Sequence, residues 1–164
     1  MTIHSISIEL TANAPKNVLF ALLSDHEQLH RFFNANYILL RAGKPHNNGI
    51  GAIREVNNGF FTYQEQIIDF KENEHLHYKI ITGAPIVEHG SWIKFISINA
   101  EQTKILYHMT FSPKFIGTGW LIKQHIHRFI KLALVKLIHF SEKNPQLINQ
   151  AIAKDPSTNV NPKI

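Results

Sequence analysis

Arg54 and Glu65 are the two residues whose types and placement say most about chemistry. Residues 50–56 and 60–70 read as strands on either side of Asn57-Asn58-Gly59, where the Asn-Gly pair is a strong hairpin signal. Period-two alternation puts Arg54 on the face shared by Ile50, Ala52 and Val56, and Glu65 on the face shared by Tyr63 and Ile67. A carboxylate among apolar side chains needs a hydrogen-bonding partner, or it shifts toward its neutral form. Arg54 can be that partner, and a guanidinium bound to one carboxylate keeps donors for a ligand carboxylate, phenol or quinone oxygen. The other reading is an outward-facing cross-strand pair, contributing less than about 1 kcal/mol.

His89-Gly90-Ser91-Trp92 is the second constellation. Glycine weakens a strand and marks a bulge or a close approach of ligand or backbone. Strict alternation places Glu88, Gly90 and Trp92 on one face, with His89, Ser91, Ile93 and Phe95 on the other, unless Gly90 bulges. An inward His89 could act as general base or hydrogen-bond donor, although a lone histidine is more often structural. Tyr78 and Tyr107, each within an alternating strand, are natural cavity phenols whose other reading is core packing with a satisfied hydroxyl.

Several chemistries are absent from the sequence. There is no cysteine, hence no disulfide, thiolate metal site or cysteine nucleophile. No Gly-x-Ser-x-Gly elbow is present, and Gly49-Ile50-Gly51 lacks the third glycine and following helix of a phosphate loop. Among eleven histidines, His26 with His30, His75 with His77, and His125 with His127 are suggestively spaced, but none of the three pairs has an evident third ligand. Neither a metal nor another cofactor is expected, and no catalytic residue is assigned.

These groups depend on the elements that carry them. Ile6, Ile8 and Leu10 alternate with Ser5, Ser7 and Glu9, a half-buried strand. Ala14-Pro15 opens a short helix to about residue 23, with Asn13 or Ala14 at its cap and Pro15 in its first turn. Ser24 or Asp25 caps a second helix over 26–33. Strands are expected over 37–41, 50–56, 60–70, 76–82, 86–98 and 104–111, joined by turns too short for parallel crossovers. A long helix follows over residues 115–140, with Ile122, Ile126, Phe129, Ala133, Leu137 and Phe140 on one face. Residues 114–143 hold six Lys and Arg against Glu142 alone, a balance equal to the whole chain's net charge of +5. These cations solvate the helix's outer face, and with Leu121, Leu132 and Val135 they offer a membrane-surface or homodimer contact; nucleic acid is not an expected partner.

The element order, Ala14-Pro15, Leu22-Leu23-Ser24-Asp25, the run from Gly49 through Val56 and the stretch from Gln64 to Tyr78 together resemble the START-like helix-grip superfamily. Within it the chain is similar to the polyketide cyclase/dehydrase and lipid-transport group, the SRPBCC proteins, over about residues 3–141. The resemblance implies an α+β helix-grip fold, a seven-stranded curved antiparallel sheet wrapped around the C-terminal helix, with two short helices between strands one and two and a cavity inside. Its members include lipid carriers, plant hormone receptors, aromatic cyclases, quinone-binding proteins and chaperone cofactors, so the fold assigns no reaction.

In that frame Arg54, Tyr63, Glu65, Tyr78, His89, Trp92 and Tyr107 from the sheet, with Ile122, Ile126 and Phe129 from the helix, are the expected ligand contacts. The leading reading is a protein that binds a small hydrophobic molecule such as a lipid, aromatic polyketide or quinone. A polyketide cyclase or dehydratase and a protein-interaction module are the alternatives. Residues 1–143 form the ligand-binding domain and 144–164 a polar, mobile tail. With no secretion signal or membrane span in the sequence, a cytoplasmic protein is expected.

Overall fold

A computed structural model describes residues 2–147. Strand β1 (His4–Ala12) buries Ile6, Ile8 and Ala12 and exposes Ser5, Ser7 and Glu9, as its alternation requires. Helix α1 (Lys16–Ser24) follows, with Val18, Leu19, Leu22 and Leu23 buried. Pro15 is its N-cap, where Asn13 or Ala14 was expected, so the helix starts one or two residues later, and the Pro15 carbonyl accepts from the Val18 and Leu19 N–H groups at 3.2 and 3.3 Å. Helix α2 (His26–Leu29) is capped by Asp25, whose Oδ1 accepts the Glu27 N–H at 3.0 Å. It is shorter than expected, but a further turn, with the Phe33 N–H on the Leu29 carbonyl at 2.9 Å, still delivers Phe32 and Phe33 to the core.

Strands β2 (Asn36–Arg41), β3 (Ile53–Asn57), β4 (Thr62–Lys71), β5 (His75–Thr82), β6 (Ile86–Ser97) and β7 (Thr103–Pro113) complete a seven-stranded sheet in the order β1-β7-β6-β5-β4-β3-β2. Every pairing is antiparallel. Since β1 and β2 are the two edges, α1 and α2 carry the chain from one edge of the sheet to the other. The β3–β4 hairpin closes at the Asn57–Thr62 pair, so its loop is longer than a two-residue Asn-Gly turn. Asn58 Oδ1 organises it by accepting from Phe60 and Phe61 N–H at 3.0 and 2.8 Å, and Gly59 supplies φ +85°.

Helix α3 (Gly119–Lys143) begins four residues later than its hydrophobic pattern suggests. Gly117 adopts φ +83°, a left-handed conformation that cannot propagate a helix, and Phe115 and Ile116 stand exposed in the connection before it. The helix packs against β1, β7 and α1. Its buried stripe, Ile130, Ala133, Leu134, Leu137, Ile138 and Ser141, lies in the C-terminal half, whereas Ile122, Ile126 and Phe129 are half-buried. Asn144 ends the helix with its N–H on the Ser141 carbonyl, and Leu147 returns to pack on the core. The expected tail from residue 148 onward lies outside the described residues. Among those described, no helix is long and apolar enough to cross a membrane.

Candidate functional site

The β3–β4 register sets Arg54 directly opposite Glu65, and both side chains point inward. Arg54 Nη2 and Glu65 Oε1 are 2.6 Å apart, with each side chain 6% exposed. This is the inward, buried pair rather than the solvated cross-strand one. The guanidinium also lies over the Tyr37 ring, 5.8 Å from its centroid. Arg54 Nε has no hydrogen-bond partner, and among the described residues it is the only buried side-chain polar atom in that condition. Leaving a buried charged donor unmatched costs about 1–3 kcal/mol or more, so this N–H is poised for an acceptor.

Arg54 and Glu65 share a small chamber with Tyr37, Tyr63 and Tyr78, walled by Leu23, Leu29, Phe33, Leu76, Ile93, Phe129 and Ile130. Its volume is about 40 Å³, enough for roughly three water molecules. The phenols remain protonated donors. Burial pushes Tyr37 and Tyr63 up, with the Glu65 charge adding to it; burial, then Tyr107, raises Tyr78; and Tyr107 is pushed up to about 12 by burial.

A hydrogen-bond chain runs from this chamber into the sheet. The β5–β6 ladder stops at the Tyr78–Ser91 pair, and β6 carries a bulge between Val87 and Gly90. At that break the imidazole of His89 replaces a backbone carbonyl: Nδ1 accepts the Ile80 N–H at 2.9 Å. The proton of neutral His89 is therefore on Nε2, which donates to Ser91 Oγ at 2.9 Å. The Ser91 hydroxyl is then directed to Tyr107 Oη at 3.2 Å, and Tyr107 donates either to Tyr78 Oη at 3.1 Å or to Met109 Sδ at 3.5 Å. In the first arrangement the Tyr78 proton is free to face the chamber.

Burial, reinforced by the nearby His77, pulls His89 down to about 4. A histidine whose folded value lies below its unfolded 6.5 contributes stability that is complete above pH 6.5 and is lost as pH falls through about 4. The contribution is on the order of 3 kcal/mol. His89→Gln, which keeps an acceptor and a donor, is expected to flatten the loss of stability between these pH values. Urea midpoints measured across that range check this, and parallel curves for the two proteins would assign the acid sensitivity elsewhere.

Of the ten expected contacts, Arg54, Tyr63, Glu65, Tyr78 and Phe129 line the chamber, while His89 and Tyr107 reach it through the hydrogen-bond chain. Trp92 lies on the opposite face, where alternation puts it, stacked on His108 at 5.4 Å with Lys94 over its ring. Ile122 and Ile126 pack against the core one to two turns before Phe129 and do not line the chamber. Sequence reasoning missed Leu23, Leu29, Phe33, Leu76, Ile93, Ile130 and Tyr37 as chamber residues. The inward alternation of Tyr37 with Leu39 was the available signal for the last of these.

Solved structures share this architecture. A START superfamily protein from Mycobacterium smegmatis superposes with a TM-score of 0.74 over 85% of this chain and 98% of its own, at 11% identity. The Zhui aromatase/cyclase from Streptomyces sp. R1128 gives 0.69 over 87% and 96%, at 12% identity. The chain has the START-like helix-grip fold. One half of the di-domain ARO/CYC BexL from the BE-7585A biosynthetic pathway shows the same likeness, with a TM-score of 0.69, 10% identity, and coverage of 87% of this chain and 47% of that one. No protein-family model and no curated protein sequence matches. Within the START-like frame, the polar groups that line the chamber come from β2, β3, β4 and β5, and α3 adds Phe129 and Ile130 to it.

Proposed function

We propose that this protein binds a small hydrophobic molecule carrying an acceptor oxygen, held between the sheet and α3. The observation that carries the reading is the buried Arg54–Glu65 pair in an apolar chamber with Arg54 Nε unmatched. Such a site accepts a carboxylate, phenol or quinone oxygen at the guanidinium and packs the remainder of the molecule on Phe33, Leu76, Ile93 and Phe129. Ligand sites for drug-sized molecules are roughly 300–1,000 Å³, so entry requires the chamber to expand. The half-buried N-terminal part of α3 is the wall best placed to move, since it gives up the least packing.

A second reading, an aromatase/cyclase-type enzyme, is supported by the directed chain from His89 through Ser91 and Tyr107 to Tyr78. A phenol held in that way stays protonated and donates a hydrogen bond to a substrate carbonyl, polarising it for attack. One experiment addresses both readings. The protein is stripped with organic solvent, refolded, incubated with 2-naphthoic acid or with a linear poly-β-ketone thioester, and followed by native mass spectrometry. Retention of naphthoate, weakened by Arg54→Gln, is the expected result; release of the thioester one water lighter would favour the enzyme. If neither probe is retained, ligand binding in the chamber is wrong.

A further inference from the structure

Six of the fifteen large apolar side chains that stand exposed among the described residues lie in three neighbouring segments. Phe60 and Phe61 project from the β3–β4 loop, Phe115 and Ile116 from the β7–α3 connection, and Trp120 and Leu121 from the first turn of α3. Ile116, at the apex of its loop, is fully exposed. Contacts join these segments. The Phe60 ring meets His125 of α3 at 6.0 Å, and His125 sits one turn beyond Leu121 on the same helix face. Nearby, the Lys114 N–H donates to the Pro85 carbonyl at 3.0 Å, bringing the β5–β6 loop to the β7–α3 connection. The surface is made of loop residues and a helix end.

The β7–α3 connection and α3 carry a run of cations, and the nearest carboxylate, Glu88, is engaged by Ser112 Oγ at 2.7 Å. Residues 112–141 contain Lys114, Lys123, Arg128, Lys131 and Lys136 and no acidic side chain. We infer that this surface docks on an anionic lipid bilayer, with Phe60, Ile116 and Trp120 entering the interfacial region and Lys114, Lys123 and Arg128 meeting the headgroups. Aromatic and aliphatic side chains flanked by cations are the combination that partitions there, and attraction to anionic lipid adds to apolar burial. Charge distinguishes this occupant from a second copy of the chain, because a two-fold contact would bring the same cations face to face. The inference stands whether or not the chamber holds a ligand.

Flotation of the full chain with vesicles of phosphatidylcholine, alone or mixed with phosphatidylglycerol, tests it. Binding is expected to the mixed vesicles, to weaken with added salt, and to fall about tenfold or more in Phe60→Asp/Ile116→Asp and in Lys114→Glu/Lys123→Glu. All of these positions except Lys123 are well exposed, so unchanged circular dichroism should accompany the loss. In a Trp92→Phe background, the Trp120 emission should shift to the blue on binding. Failure of the wild-type chain to float, binding by either variant as strong as that of the wild type, or a solution dimer abolished by Ile116→Asp would each overturn the bilayer assignment.

Discussion

Glu65→Leu is expected to destabilise the protein by about 3–5 kcal/mol, a large share of the 5–15 kcal/mol that separates folded from unfolded states of ordinary domains. Removing the carboxylate leaves Arg54 buried with its charge and no neutral form within reach, since guanidinium does not release its proton in proteins. Arg54→Met is expected to cost less, because the stranded Glu65 can take up a proton, and its deficit should shrink as the pH is lowered. Arg54→Met/Glu65→Leu should recover most of the loss, because well-packed apolar side chains replace a buried pair at little cost. Urea unfolding of the four proteins measures the cycle. Simple addition of the two single losses would mean that the 2.6 Å contact contributes no coupling. If the double variant is as stable as the wild type yet no longer retains naphthoate, the pair serves the ligand rather than the fold.

Strict alternation put both members of this pair on faces shared with apolar residues but left the inward and outward readings open, and burial decides for the inward one. Arg54 and Glu65 occupy regular strands on a one-sided sheet, where a residue's face follows from its parity. The same rule places Tyr78 and Tyr107 inward and Trp92 outward, so including Trp92 among the ligand contacts overrode a correct pattern. Where β6 bulges between Val87 and Gly90, parity stops being a guide. Glycine at 90 announced the irregularity, but not that His89 would substitute for a carbonyl at Ile80. Leu23 and Leu29 enter the chamber from α1 and α2, Phe33 from the turn after α2 and Tyr37 from the edge strand β2; the approach of the first three depends on long-range packing that no local pattern encodes. The start of α3 misled for a related reason. Phe115 and Ile116 continue a hydrophobic periodicity, yet Gly117 takes a left-handed conformation and both side chains remain in solvent.

That displacement divides α3 into two parts with different expected behaviour. Leu137 is fully buried, and Leu137→Ala should cost about 2–5 kcal/mol, the lost transfer energy together with the cavity left behind. Ile126 is only half-buried, one turn before the chamber wall at Phe129, and Ile126→Ala should cost roughly 1 kcal/mol or less. Amide hydrogen exchange provides a second readout that does not depend on mutation. Amides in the C-terminal half of α3, under the Ile130 to Ser141 stripe, should exchange only through global unfolding, and those before Phe129 through smaller openings. A chamber of about 40 Å³ can admit a larger molecule only by such an opening. Naphthoate binding should therefore slow exchange selectively in the N-terminal half, because a ligand lodged against Phe129 stabilises the wall it displaced. If both halves exchange at the global rate with and without naphthoate, α3 is a rigid lid, and entry must instead use the β3–β4 loop around Phe60 and Phe61.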